Sequence, residues 1–135
     1  DWTYDAGSDY GSITSAHRGS KNARFVSLPY IGGPVTWLIS PLLDLSSLTA
    51  PQLKFYYGQE AWGADQNETK VHYSADSGAT WTEIAHYTAS VSSWTAVTLA
   101  LTNKSDTYMI AFEGINSYGY TNVIDDVVIE ESAST

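Results

Sequence analysis

The stretch Gln52-Leu53-Lys54-Phe55-Tyr56-Tyr57 alternates between apolar side chains and more polar ones along its whole length. A period of two residues places Leu53, Phe55 and Tyr57 on one face of an extended chain. The stretch therefore predicts a β-strand that turns this face to a core and Tyr56 to the outside.

Other segments of the chain carry strand signals of the same kind. The stretch Lys70-Val71-His72-Tyr73 repeats the alternation, with His72 on the outer face. Alternation, or short apolar runs between turn residues, predicts further strands at 23–28, 36–39, 80–85, 97–101, 107–112 and 122–129. No window predicts a long amphipathic helix. Because parallel strands need long crossover connections, this pattern predicts an antiparallel two-sheet β-sandwich.

One hairpin has a sequence signature of its own. The stretch Ser74-Ala75-Asp76-Ser77-Gly78-Ala79-Thr80-Trp81 fits the pattern S-x-D-x-G-x-T-W, which is known as the Asp-box. Asp76 is predicted to accept hydrogen bonds from the turn amides, Gly78 to take a positive φ, and Trp81 to fold back onto the hairpin. This is a structural role. Since the signature occurs once, a propeller of repeated hairpins is excluded.

Length and composition restrict the classes of protein that this chain can belong to. The 135 residues predict a single domain at 1–130, followed by a linker-like tail at 131–135. Six Lys and Arg against 15 Asp and Glu give a net charge of −9, which repels phosphate backbones and anionic lipids, so no nucleic acid is expected as a partner. The apolar runs are too short for membrane insertion.

Residue usage also bears on where the protein works. The chain has no Cys, and 17 Ser and 14 Thr make its surface rich in hydroxyl groups. Such a surface is typical of secreted β proteins, so a secreted or cell-surface location is expected. The first residue is Asp1 and not Met. We therefore expect a piece of a longer chain, with neighbouring domains as partners.

Five stretches follow one another along the chain in the order of a known family. They are His17-Arg18-Gly19-Ser20 with Ala23, Trp37-Leu38-Ile39-Ser40-Pro41, Leu43-Asp44-Leu45-Ser46, Leu53-Lys54-Phe55-Tyr56-Tyr57, and Ile124-Asp125-Asp126-Val127-Val128-Ile129. Together they resemble the bacterial cleaved-adhesin and choice-of-anchor domains, which look like relatives of the MAM domain. The resemblance implies a jelly-roll β-sandwich, often calcium-bearing, in secreted multidomain proteases, glycan-active enzymes and adhesins. The acidic-aromatic strand that opens such domains is expected to be trimmed or altered here.

Two aspartates inside the last apolar strand are candidate metal ligands. Neighbouring residues of a strand point to opposite faces, so either Asp125 or Asp126 is directed to the interior or to a sheet edge. A buried carboxylate needs backbone amides, one of the few cations, or a hard metal ion as a partner. Hydrogen bonding by turn amides and hydroxyls is an equal alternative from the residues alone. The family resemblance favours calcium.

A second oxygen-rich segment carries Asp65, Asn67 and Glu68. These residues are candidate ligands of a second calcium ion, and a solvated acidic loop is the alternative. Catalytic signatures are absent, and none of the three histidines has a second ligand at zinc spacing. A small hydrolase would need a carboxylate pair such as Glu60 with Glu113 or Asp65, and this class is the least favoured.

Aromatic residues are more numerous than a core of this size needs, with 5 Trp, 10 Tyr and 3 Phe. Trp62, Tyr118 and Tyr120 lie in the two longest connections, and we expect these to meet at one end of the sandwich and bind a ligand. The competing site is an outward face that carries Tyr56 and His72. Aromatic rings stack on sugars and anchor protein partners equally well.

These observations favour a non-catalytic accessory module for binding or adhesion in a secreted, multidomain bacterial protein, stabilised by calcium. Its partner is expected to be a glycan or an extracellular protein. The alternative is a carbohydrate-binding module that recognises a polysaccharide.

Overall fold

The computed structural model describes residues 2–25 and 35–133. Within them the chain forms β1 (Trp2–Asp5), β2 (Asn22–Phe25), β3 (Val35–Ile39), β4 (Pro51–Gln59), β5 (Glu68–Ser74), β6 (Thr82–Tyr87), β7 (Val91–Ala100), β8 (Met109–Ile115) and β9 (Asn122–Glu131). The strands make a five-stranded sheet in the order β1-β2-β9-β4-β7 and a four-stranded sheet in the order β3-β8-β5-β6. Every pairing in them is antiparallel. The antiparallel two-sheet sandwich is confirmed.

The core lies between the two sheets, where the apolar face of β4 packs against the apolar faces of β5 and β8. Leu53, Phe55 and Tyr57 of β4 are buried, and the ring of Phe55 meets that of Phe112 on β8 edge to face at 5.0 Å. Val71, Tyr108, Ile110 and Ile124 complete the centre of the cluster. Burial of each such side chain contributes roughly 1.5–3 kcal/mol relative to leaving it in water, so this cluster is the main source of stability.

Two segment expectations need correction. The opening strand is present: β1 pairs with β2, with Asp5 opposite Asn22, and the ring of Trp2 packs 5.6 Å from that of Phe25. The final strand runs to Glu131, whose carboxylate accepts hydrogen bonds from the backbone N–H groups of Thr49 at 2.7 Å and Ala50 at 2.5 Å. Residues 26–28 of the predicted strand at 23–28 lie outside the described residues.

Strand direction decides which connections meet at each end of the sandwich. At one end of β5, Glu68 pairs with Ile115 of β8, and at the other end Ser74 pairs with Met109. Residues 60–67 and 116–121 therefore lie at the first end, and the Asp76 hairpin lies at the second. Within the described part of the chain no helix is long and apolar enough to cross a membrane.

The Asp76 hairpin is held by side-chain hydrogen bonds. The Asp76 carboxylate accepts from the Thr80 N–H at 2.8 Å, the Thr80 hydroxyl at 2.6 Å and the Ser74 hydroxyl at 2.8 Å. Gly78 has a φ of +87°, and a Cβ there would lie 3.6 Å from the ring of Trp81, which packs back over the turn. The Thr80 hydrogen bonds lower the pKa of Asp76 to about 2.

Because the pKa of Asp76 is lowered in the folded protein, the free energy of unfolding depends on pH. A carboxyl whose folded pKa lies below its unfolded value of 3.8 stabilises the fold above that value and loses this contribution as the pH falls towards about 2. We expect the wild type to lose more stability than Asp76→Asn between about pH 5 and pH 2. Urea midpoints of both proteins across this range measure the difference, and parallel curves would contradict the role of Asp76.

Candidate functional site

The two long connections are joined by one buried side chain. Asn67 has none of its surface exposed, and its Oδ1 accepts hydrogen bonds from the backbone N–H groups of Ser117 at 2.7 Å and Gly119 at 2.9 Å. Its Nδ2 donates to the Tyr120 carbonyl at 3.1 Å. The side-chain amide of Asn67 thus makes the hydrogen bonds that strand pairing would otherwise provide. It holds residues 116–121 against residues 60–67.

Close backbone contacts strengthen this junction. The Tyr120 N–H donates to the Glu60 carbonyl at 3.0 Å, and a Cβ on Gly119 would lie 2.7 Å from the backbone nitrogen of Asn67. Only glycine allows that approach. We call the joined residues 60–67 and 116–121 the loop end.

A third segment, which the sequence did not place, borders the loop end. The Glu60 carboxylate accepts hydrogen bonds from the Ser12 N–H at 2.6 Å and the Ser12 hydroxyl at 2.9 Å. This contact holds residues 6–15 beside Tyr120 and leaves the neighbouring Tyr10 side chain 73% exposed. Glu60 and Ser12 are 48 positions apart, so no local pattern could have revealed the contact.

Three aromatic side chains lie at this end, and two of them are exposed to solvent. Trp62 is 61% exposed and Tyr118 is 42% exposed, while Tyr120 is half-buried. Tyr118 has a φ of +66°, a conformation that is uncommon outside glycine, and its N–H donates to the Asn116 side chain at 3.0 Å. Exposed rings on a backbone held in this way can stack on the apolar face of a ligand.

The predicted oxygen cluster in the loop end has other partners. Asn67 uses its oxygen for two backbone N–H groups, and the Glu68 carboxylate lies 2.5 Å from Nε2 of His86 on β6. Asp65 is exposed. Within residues 2–25 and 35–133 no group of three or more His, Asp or Glu is arranged to hold a metal ion.

Asp125 and Asp126 lie at a β-bulge in the pairing of β9 with β4. Asp125 accepts from the backbone N–H of Arg18 at 3.0 Å and from that of Asp126 at 2.8 Å. The Asp126 carboxylate pairs with His17 and with Nε of Arg18 at 3.0 Å. All four carboxylate oxygens therefore have protein partners: backbone amides for Asp125, as the hydrogen-bonding alternative expects, and the basic side chains of His17 and Arg18 for Asp126. A calcium ion would have to share or displace them.

Calcium stays a prediction for Asp125 and Asp126. A metal that binds only the folded state raises the melting temperature, so the prediction expects a chelator to lower the melting temperature of the wild type. The double variant Asp125→Asn with Asp126→Asn should not respond to the chelator. Differential scanning calorimetry measures both proteins, and an unchanged wild-type melt would assign these aspartates to His17 and Arg18 alone.

The predicted sheet-face site is wrong as a single site, because Tyr56 and His72 lie on different sheets. Tyr56 on β4 points outward from the five-stranded sheet, where its ring stacks on His17 at a centroid distance of 3.6 Å. His72 on β5 points outward from the four-stranded sheet, but it is covered by Trp37, which stacks on it at 4.2 Å. The alternation of residues shows which side chains share one face of a strand, but it does not show to which sheet the strand belongs.

Two of the three carboxylates of the hydrolase alternative, Glu113 and Glu60, have protein partners. Oε1 of Glu113 lies 2.7 Å from Nε2 of His72 beneath Trp37. Glu60 is held by Ser12 at the loop end. Both carboxylates thus have protein partners, and Asp65, the other residue considered beside Glu60, is exposed at the loop end.

No protein-family model and no curated protein matches the chain. Solved structures share its fold. The structure of TmCBM61 in complex with β-1,4-galactotriose is 14% identical with a TM-score of 0.63, over 97% of this chain and 88% of that one. The K3 cleaved adhesin domain of Lys-gingipain from Porphyromonas gingivalis W83 is 19% identical with a TM-score of 0.60, over 86% and 76%.

A family 16 carbohydrate-binding module is 14% identical with a TM-score of 0.56, over 97% of this chain and 89% of that one. These similarities confirm the predicted fold class, a jelly-roll β-sandwich. They include the adhesin domain to which the sequence motifs pointed. At such low identity they describe the fold and leave the ligand to be argued from the residues.

Proposed function

We propose that the chain is a non-catalytic binding module that takes a glycan at the loop end. The observation that carries this proposal is the exposure of Trp62 and Tyr118 on connections that the buried Asn67 holds in place. The exposed Tyr10 borders them on the segment that Glu60 holds through Ser12. A rigid aromatic surface loses little entropy when a sugar ring stacks on it. Backbone and side-chain polar groups around the rings supply partners for sugar hydroxyls.

The structural neighbours support a glycan rather than a protein as the ligand. One of them was solved in complex with β-1,4-galactotriose, and another is a carbohydrate-binding module. The similarity to an adhesin domain of Lys-gingipain favours a second candidate, attachment to an extracellular protein. In either case the module would be part of a longer secreted or cell-surface chain. It would stabilise the neighbouring domains or bring them to the ligand.

A binding and turnover experiment tests the proposed function. The protein is titrated by isothermal calorimetry with β-1,4-galactotriose, xylohexaose and cellohexaose, and each mixture is then analysed for shortened products. Heat of binding with intact oligosaccharide supports the module. Shortened products would move the chain to the hydrolase class, and heat with none of the three sugars would leave the protein-attachment candidate.

A further inference from the structure

The loop end and the bordering residues 6–15 carry negative charge and no Lys, Arg or His of their own. Residues 6–15, 60–67 and 116–121 contain Asp9, Glu60 and Asp65, and they contain no Lys, Arg or His. Arg24 borders this region and is occupied: its guanidinium lies 2.7 Å from Asp9 and 3.7 Å from Asp5. The basic side chains that border the loop end, Arg24 and His86, are thus paired with Asp9 and Glu68.

One of these carboxylates lies beside the most exposed tryptophan. Trp62 and Asp65 exchange both backbone hydrogen bonds, at 2.9 Å and 3.0 Å, across a tight turn at Gly63, which has a φ of +60°. Residues that face each other in this way project their side chains to the same side, with Cβ atoms about 5 Å apart. The exposed Asp65 carboxylate thus shares a surface with the indole of Trp62.

The other two carboxylates have protein partners that limit their effect. Both oxygens of Glu60 already accept hydrogen bonds from Ser12, and Asp9 is paired with Arg24. Asp65 has its backbone in the turn and its side chain in solvent. It is the carboxylate that a sugar stacked on Trp62 would approach first.

We propose that the loop end admits uncharged glycans and excludes acidic ones, and that Asp65 sets this selection. The inference rests on the proposed function, since it concerns the ligand of the same site. A hydroxyl of a neutral sugar can donate a hydrogen bond to Asp65. A uronate at the same position brings a second negative charge within a few ångströms, and two like charges at that distance repel measurably even in water.

Matched sugars test the proposal. β-1,4-galactotriose and cellotriose are each compared with the form in which C6 of every residue is oxidised to a carboxylate, so that backbone and linkage stay the same. We expect the oxidised form to bind about tenfold or more weakly than its neutral parent at low salt. Added salt should narrow the difference, because it screens the repulsion.

Two variants separate the local charge from the total charge. Asp65→Asn removes the proposed determinant, and Asp106→Asn removes one exposed carboxylate near the Asp76 hairpin, at the opposite end of the sandwich. Both change the net charge by one unit. We expect Asp65→Asn to restore most of the affinity for the oxidised sugar, with little change for the neutral parent, and Asp106→Asn to behave as the wild type.

The outcomes distinguish this inference from the proposed function. Equal or tighter binding of the oxidised sugars by the wild type would overturn the charge selection while leaving a glycan-binding module. Equal recovery in both variants would overturn the role of Asp65. If neither the neutral nor the oxidised sugars bind, the proposed function fails and the inference falls with it.

Discussion

Replacing Asn67 with alanine is expected to lower the free energy of unfolding by about 3 kcal/mol or more, because a buried group left without its partner costs roughly 1–3 kcal/mol. The substitution removes the acceptor of the Ser117 and Gly119 N–H groups and the donor to the Tyr120 carbonyl. Urea denaturation followed by tryptophan fluorescence measures the loss.

The second consequence of Asn67→Ala concerns binding. Without the Asn67 hydrogen bonds, residues 116–121 are no longer fixed to residues 60–67. The loop end must then become ordered when the glycan binds, and this ordering costs free energy. We therefore expect weaker affinity even at a temperature where the variant is folded. Gln52→Ala is the control, because its amide makes only a 3.4 Å contact with Glu130 at the surface. That change should cost within about 0.5 kcal/mol.

An Asn67→Ala protein as stable as the Gln52→Ala control would contradict the role of Asn67. Unchanged stability would mean that residues 116–121 are held by the Tyr120–Glu60 backbone hydrogen bond and by packing alone. Loss of stability with wild-type affinity would separate the junction from the binding site.

Truncating both Trp62 and Tyr118 to alanine is expected to weaken glycan binding by about a hundredfold, since each stacking ring contributes on the order of 1.4 kcal/mol or more, which is tenfold. Neither side chain belongs to the buried core, since Trp62 is 61% and Tyr118 42% exposed, so the melting temperature should stay near that of the wild type. Calorimetric titration of the double variant with the best neutral oligosaccharide measures the loss of affinity.

Two aromatic variants control for a loss of apolar surface in general. Tyr4→Ala removes an exposed ring from β1, away from the loop end, and should bind as the wild type. Tyr56→Ala removes the ring that stacks on His17. A collapse of affinity in Tyr56→Ala, with the Trp62 and Tyr118 variant unaffected, would move the site to the outer face of the five-stranded sheet.

Local patterns in the sequence were sufficient for most of the strands, though not for β1 or the first half of β7, and insufficient for the arrangement of the strands. The alternation around Leu53 predicts β4 and its buried face, because a period of two is a property of neighbouring residues. The same alternation could not show that Tyr56 and His72 belong to different sheets. Strand order depends on contacts between distant segments, such as that of β2 with β9.

The loop end shows the same limit at the level of single side chains. Trp62, Tyr118 and Tyr120 could be proposed because they stand in long connections rich in aromatic residues. The role of Asn67 was not predictable, since its partners lie 50 to 53 positions away and an asparagine in a polar loop is also a reasonable metal ligand.

Strand β7 begins at Val91, six residues before the predicted strand at 97–101. Its first residues, Val91 to Ala96, are mostly exposed, so the alternation of apolar and polar residues that predicts a strand is weak there.

The most direct test of the account is to map the bound glycan on the folded protein by NMR. Backbone amide shifts of the labelled protein are recorded with and without a saturating neutral oligosaccharide that gives heat in calorimetry. The account predicts that the largest shifts fall on residues 60–67 and 116–121, with smaller ones near Tyr10. Shifts confined to the outer sheet face around Tyr56 and Trp94, with the loop end unchanged, would contradict it.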